Sequence, residues 1–153
     1  MGSLSKILAA MALISQTLAV RFYTEYDGGK FLSYQPGADD YNWAMLVPES
    51  EAADFSLDGG NLYNAGARLA QIHNVGTEPH PSYRSIRFDT ATSGWNFWSI
   101  SEDGRLVADQ TNDGYGVEQE FIACPESSGI FVYVQTGSDV PEGCTEFGGL
   151  YEA

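Results

Sequence analysis

The sequence predicts an all-β protein with one compact antiparallel domain, built as a barrel or a sandwich. Short runs of aromatic and β-branched residues alternate with Gly, Asp, Asn and Pro, as in strands joined by tight turns. After residue 19, no segment keeps the 3.6-residue periodicity of an amphipathic helix over three turns, and one helical turn is expected near 48–53. The predicted strands are 21–26, 30–34, 53–57, 61–64, 68–73, 83–89, 97–101, 106–109, 120–123, 130–136 and 144–152.

The strand 130–136 stands out because Ile130 to Val134 is apolar on both faces. A strand of this kind is typical of the middle of a sheet that is covered on both sides. We therefore expect it to lie centrally in the domain.

Three segments have a common design, in which an alternating strand runs into an Asp-Gly turn. The turns are at Asp27-Gly28, Asp58-Gly59 and Asp103-Gly104. Asp-Gly favours tight hairpins because both residues accept positive φ at low cost. Three similar hairpins, repeated about every 40 residues along the chain, suggest a β-trefoil, which is built from three such units. The unequal spacing, 31 residues from Gly29 to Gly60 and 44 from Gly60 to Gly104, leaves a two-sheet sandwich or another barrel as alternatives.

The first 19 residues have the layout of a secretory signal peptide. Lys6 precedes an apolar run from Ile7 to Ile14, and small residues stand at the −3 and −1 positions, Thr17 and Ala19. The run is about half of the roughly 20 apolar residues that span a bilayer. We predict cleavage after Ala19 and an all-β extracellular domain at 20–153, without membrane attachment once the leader is removed.

The predicted mature chain is strongly acidic. It has six basic and 21 acidic residues, which gives a net charge near −15. Such a surface repels nucleic-acid phosphates and anionic lipid headgroups. Nucleic acid is therefore not an expected partner, whereas a cation or a basic partner would be attracted.

The mature chain has two cysteines, Cys124 and Cys144. On an oxidising export route the natural interpretation is one disulfide. It would close a loop of about 20 residues and contribute about 3 kcal/mol to stability in the chain-entropy model.

No catalytic motif is present in the sequence. Gly-x-Ser-x-Gly is absent, and the paired cysteines are not expected to act as nucleophiles. Acidic residues are abundant, so a glycoside hydrolase with a carboxylate pair stays open as an alternative. No cofactor is predicted.

Metal sites have one candidate. Residues 109–120 resemble a calcium loop, with Asp109, Asp113 and Glu120 at positions 1, 5 and 12, but Thr111 replaces the usual acid at position 3 and strands flank the loop. A solvated loop explains it better. The two histidines, His73 and His80, are too few for a zinc or copper centre. No metal site is therefore predicted.

The tryptophans supply the candidate ligand-binding residues. Alternation places Trp98 inward with Ile100, whereas Trp95 and Trp43 could be exposed and stack on the CH groups of a sugar. We predict Trp95 and Trp43 as possible ligand-binding residues. The alternative is that these aromatics fill a small β core.

The C-terminal half resembles a known family. The stretches concerned are Trp98-Ser99-Ile100, Asp103 to Leu106, Phe121 to Pro125, Ile130 to Val134, Pro141 to Cys144 and Phe147-Gly148. They are similar to the PhiA-type cell wall proteins of filamentous fungi, which are also catalogued as IgE-binding proteins. The N-terminal half resembles the family through Phe31 to Pro36 and the hairpin from Phe55 to Tyr63. Members of that family often have further cysteines before this hairpin and Asn-x-Ser/Thr glycosylation motifs, and both are absent from this sequence.

The resemblance implies a secreted or wall-associated fungal protein without enzyme activity, in some members linked with phialide and conidium development. We expect a non-enzymatic extracellular protein of the cell wall or hyphal surface. A carbohydrate- or host-binding module, lectin-like or an effector, is the alternative, and a hydrolase is the third possibility. The expected partners are cell wall polysaccharide or a wall or host protein.

Overall fold

The computed structural model describes residues 19–35, 41–72, 82–90, 97–111 and 116–153. Within these residues the chain is almost entirely β, which confirms the predicted fold class. The strands are β1 Phe22–Thr24, β2 Lys30–Gln35, β3 Tyr41–Val47, β4 Phe55–Asp58, β5 Asn61–Asn64, β6 Leu69–Ile72, β7 Tyr83–Asp89, β8 Trp98–Ile100, β9 Leu106–Asp109, β10 Val117–Glu118, β11 Phe121–Glu126, β12 Gly129–Gln135, β13 Thr145–Glu146 and β14 Tyr151–Glu152. Two short 3-10 turns, Tyr26–Gly28 and Glu49–Glu51, complete the structure, and the second is the predicted helical turn.

Three hairpins meet at one end of the domain, and we call them the cap. They are β2–β3, β6–β7 and β11–β12, each antiparallel. Strands β3, β7 and β12 also pair with one another, through Trp43 with Arg87, Phe131 with Met45, and Tyr133 with Ser85. The cap therefore has three similar strands around a common centre.

Six of the other eight strands form a ring, and the short strands β10 and β13 pair beside β9 and β11. The ladders β4–β5, β8–β9 and β14–β1 supply three of its joints. The other three are a bridge between Val20 and Phe55, a hydrogen bond from Trp98 N–H to the Gly60 carbonyl (2.9 Å), and one from Leu106 N–H to the Leu150 carbonyl (2.8 Å). The long sheet curls into a half-barrel, and these joints connect the small sheet β10-β9-β8 to it. A six-stranded ring under a cap of three hairpins is the arrangement of a β-trefoil.

This topology explains the unequal spacing of the Asp-Gly turns. All three segments form hairpins, as predicted. The turn near Asp27 joins β1 to β2 inside the first trefoil repeat, whereas Gly59-Gly60 and Gly104 lie between successive repeats. Only the last two turns are structurally equivalent, and their offset of 44 residues is close to the length of one repeat.

The core lies between the ring and the cap. Its largest side chains have 2% exposure or less; the aromatic ones are Trp98, Phe22, Phe55, Phe88 and Phe121. Trp98 lies inward as its alternation predicted, and its indole Nε1–H donates to the buried carbonyl of Ala70 (3.1 Å). Alternating strands thus place one residue in two in the core.

The observed strands differ from the predicted ones in three places. Strands β3 and β10 were not predicted, and the predicted strand 144–152 is two short strands, β13 and β14. Gly148 lies between them with φ 77°, a conformation that interrupts an extended strand. Strand β12 pairs with β11, β3 and β7, so its position in the sheet is central, as predicted. It is not covered on both sides, because Phe131 and Tyr133 on its outward face are only half-buried.

Residues 1–18 of the predicted signal peptide lie outside the described residues, which begin at residue 19. Over the part of the chain that is described, no helix is long and apolar enough to span a membrane.

Candidate functional site

The outward side of the cap carries a set of aromatic residues. In β3 and β7, buried and half-buried residues alternate, so one side of each strand faces the core and the other faces outward. The outward aromatic side chains come from β3, β7 and β12, and we call this set the aromatic cap face: Tyr41, Trp43, Tyr83, Phe131 and Tyr133.

A concavity of about 480 Å³ opens on this face. It draws on all three hairpins because their strands meet there. Its lining residues are Gln35, Trp43, Ser85, Glu126, Phe131, Val132 and Tyr133. Aromatic walls with a few polar groups between them are the usual composition of a small-ligand site.

The rings are held by contacts with one another. Tyr41 and Trp43 meet edge to face at 5.3 Å between centroids, and Tyr83 and Tyr133 do so at 5.6 Å. The guanidinium of Arg87 lies 5.2 Å from the Tyr41 ring centre. Edge-to-face packing favours fixed ring orientations, so Tyr41 and Tyr83 hold the rings of Trp43 and Tyr133 in the wall of the concavity.

The charge on Arg87 is already matched within the fold. Its Nη2 lies 3.1 Å from a carboxylate oxygen of Asp89 and donates to the side-chain oxygen of Gln71 at 3.4 Å. This cation therefore braces the edge of the aromatic cap face, and its positive charge is largely neutralised there.

The phenol of Tyr133 is protonated over the physiological range. Burial raises its pKa above the ordinary value of a tyrosine, and the nearby Glu126 carboxylate and Tyr83 raise it further. Tyr133 can therefore donate a hydrogen bond to a ligand, while Glu126, which is exposed, can accept one.

A second concavity of about 310 Å³ adjoins the first, and Glu126 and Tyr133 line both. Its other lining residues are Tyr83, Cys124, Pro125, Pro141, Glu142, Gly143 and Cys144. Cys124 and Cys144 form the predicted disulfide. The disulfide therefore fastens the segment after β12 beside the aromatic cap face.

The predicted ligand-binding tryptophans have different outcomes. Trp43 lines the first concavity, whereas Trp95 lies outside the described residues. The residues that surround Trp43 were missed because they come together only when three distant hairpins meet. Their sequence signal is the outward half of each alternating strand, which in β7 gives Tyr83, Ser85 and Arg87.

The calcium-loop candidate is only partly described. Asp109 and Glu120 are described, and Asp113, like His73 and His80, is not. The Asp109 carboxylate accepts hydrogen bonds from the hydroxyl and the backbone N–H of Thr111, which lower its pKa. Among the described residues, no three His, Cys, Asp or Glu side chains are grouped so that they could hold a metal ion.

Another concavity, of about 550 Å³, lies near the C-terminal strand and includes Tyr23, Phe147 and Tyr151. Its aromatic rings already contact other side chains. Tyr23 packs against Phe31, Phe147 stacks on Phe121, and Arg105 lies over Tyr151. The rings of the aromatic cap face are in contact too, so packing does not separate the two surfaces. We place the candidate site on the aromatic cap face because it includes Trp43, the tryptophan that the sequence indicated as a ligand-binding candidate.

Chemically, the concavity is suited to binding. Among the described residues that line this concavity, Glu126 is the sole carboxylate, and the adjoining concavity adds Glu142. A glycosidase needs a pair of carboxylates on either side of the bond that it cleaves. Fold and site together define a β-trefoil with an aromatic concave surface on its cap.

The chain belongs to the DUF7908 family, a domain of unknown function, whose model matches residues 44–149. That range includes the hairpins β6–β7 and β11–β12 and the second half of β3, whereas β2 and the first residues of β3, Trp43 among them, lie before it. Neither the curated proteins nor the solved structures include a match to this chain.

Proposed function

We propose that this chain is a non-enzymatic binding module that works outside the cell and holds a polysaccharide of the fungal wall on its aromatic cap face. The observation that carries the proposal is the position of Trp43 in the wall of the 480 Å³ concavity. Trp43 was a ligand-binding candidate from its residue type, and it lies with other aromatic and polar groups in one open surface.

The arrangement matches what a sugar chain offers. Pyranose rings have flat CH faces that pack on aromatic rings, and hydroxyl groups around their edges. Trp43, Phe131 and Tyr133 supply rings, and the lining also includes hydrogen-bonding side chains from Gln35, Ser85 and Glu126. A few polar groups between aromatic walls give orientation and specificity.

Export and a wall location are supported by other observations. The leader-like first 19 residues predict secretion, and a disulfide is typical of proteins that pass through an oxidising compartment. The resemblance to PhiA-type proteins supports a fungal wall or hyphal surface and a link to phialide and conidium development. A wall or host protein remains the alternative partner.

Trp43 allows a direct test. The mature protein, residues 20–153, should bind at least one of insoluble chitin, β-glucan and mannan in a pull-down. Trp43→Ala should weaken that binding about tenfold or more, because truncating an aromatic anchor in a binding surface commonly costs about 2 kcal/mol or more.

Tyr151→Ala is the matched control. Tyr151 is also an exposed aromatic residue, but it lies on β14 of the ring, away from the cap. Its replacement should leave binding unchanged. Absence of binding to all three polysaccharides would exclude the proposed ligand class, and equal losses in the two variants would exclude the aromatic cap face as the site.

A further inference from the structure

We infer that the sugar chain held on the aromatic cap face carries free amino groups, as in a glucosamine polymer, and is bound through Glu126 together with the aromatic rings. This inference rests on the proposed function and narrows its ligand. The proposed function requires a polysaccharide of any charge, whereas this inference requires a polysaccharide with positive charge.

Glu126 lies at the junction of the two adjoining concavities and lines both. It is the last residue of β11, it pairs with Gly129 across the tight β11–β12 turn, and its side chain is exposed. Its charge acts on the phenol of Tyr133. A carboxylate therefore stands at the centre of the combined surface, beside an aromatic ring.

The charge that surrounds Glu126 is also negative. The described residues that line the two concavities include two carboxylates, Glu126 and Glu142, and no Lys or Arg. Arg87, at the edge of the aromatic cap face, forms an ion pair with Asp89 and packs over the Tyr41 ring. The mature chain as a whole has a net charge near −15. The surface therefore attracts a cation and repels an anionic polymer.

The carboxylate and the rings can act on one ligand together. An ammonium group is attracted to the faces of Trp and Tyr as well as to a carboxylate. Trp43, Tyr133 and Glu126 all line the same concavity. A sugar with an ammonium substituent can place its CH face on a ring and its charge next to Glu126, a combination that a neutral glucan cannot use.

The ligand comparison uses soluble oligomers of equal length, one of glucosamine and one of N-acetylglucosamine, titrated calorimetrically into the mature protein. At low salt we expect the glucosamine oligomer to bind about tenfold more tightly, since a hydrogen bond to a charged group is worth about 1.5–3 kcal/mol, of which about 1.4 kcal/mol is tenfold. Raising the ionic strength from about 0.01 M to about 1 M should remove most of the difference, because the screening length falls from about 30 Å to about 3 Å.

The residue comparison uses Glu126→Gln and Glu102→Gln. Both remove one negative charge from an exposed position in a hairpin, but Glu126 ends β11 of the cap, whereas Glu102 lies in the β8–β9 turn, outside the cap. Glu126→Gln should lower affinity for the glucosamine oligomer about tenfold and leave the acetylated oligomer unaffected. Glu102→Gln should change neither.

The outcomes separate the amine inference from the proposed function. Equal or tighter binding of the acetylated oligomer, still dependent on Trp43, overturns the amine inference and leaves the proposed function standing. Binding of polylysine but of neither oligomer overturns the amine inference and indicates a basic protein partner. The proposed function falls as well only if the protein also fails to bind chitin, β-glucan and mannan in the pull-down. If Glu126→Gln did not fold, the acetylation and salt comparisons on the unaltered protein would still decide the inference.

Discussion

At the scale of single residues, two tryptophans show how far side-chain type and alternation can be taken. Trp98 was placed inward from its alternation with Ile100, and it has 1% exposure. Trp43 was chosen for its residue type alone, because its strand was not predicted. Its segment, Tyr41-Asn-Trp-Ala-Met-Leu-Val, is apolar at most positions and includes the helix-favouring Ala, Met and Leu, so the period of two is obscured.

Trp98→Phe should destabilise the domain by about 2–3 kcal/mol. The smaller ring leaves a cavity in the core, and loss of Nε1–H leaves the buried Ala70 carbonyl without that donor. Urea unfolding followed by far-UV circular dichroism would measure the change in midpoint.

The matched variant is Trp43→Phe, which makes the same chemical change at a half-buried position on the cap. It should cost about 1 kcal/mol or less. Equal losses of stability in the two variants would contradict the buried position of Trp98 and the hydrogen bond from its indole.

At the scale of elements, the hairpins were predictable but their backbone geometry was only partly so. The Asp-Gly rule placed all three turns correctly. It also expected positive φ at the Asp residues, and among them only Asp27 has it (φ 48°). At the other two turns the Asp comes before the positive φ, which is taken by Gly59 and Gly60 (57° and 84°) and by Gly104 (83°). Position within a turn depends on strand register, which a dipeptide does not specify.

Gly59→Ala should therefore destabilise the protein by about 1–2 kcal/mol. A Cβ at Gly59 would meet no heavy atom within 4 Å, so the cost comes from the left-handed backbone and not from a steric clash with neighbours. Thermal unfolding by calorimetry would measure it. Gly59→Asn should cost clearly less, because Asn accepts this conformation and Asn-Gly suits a two-residue hairpin. Equal losses for Ala and Asn would contradict a turn with φ near 57° at this position.

At the scale of the whole molecule, the sequence could suggest a trefoil but could not establish it. The pairing of β3, β7 and β12 joins strands that are far apart along the chain, and no local pattern records which strands will meet. The aromatic cap face depends on the same non-local pairing. For this reason Trp43 could be proposed from the sequence, whereas Gln35, Ser85 and Glu126 could not be assigned to its surroundings.

Closure of the ring by the C-terminal strand is a property of the molecule as a whole, and it can be tested at Leu150. Leu150 is fully buried in the core, and its carbonyl accepts the hydrogen bond from Leu106 N–H that joins β9 to the end of the chain. Leu150→Ala should cost about 2–5 kcal/mol, as for other buried leucines whose removal leaves a cavity.

Its neighbour Tyr151 provides the control, because that side chain is 39% exposed and points to the opposite side of the chain. Tyr151→Ala should cost about 1 kcal/mol or less, including the loss of its contact with Arg105. Hydrogen exchange distinguishes a local effect from opening of the ring. In Leu150→Ala, the amides of Leu106 and Glu152, which donate across this joint, should lose protection together with that of Phe55 at the Val20 joint. Loss confined to residues 149–153 would mean that the ring is not closed cooperatively through its C-terminal strand.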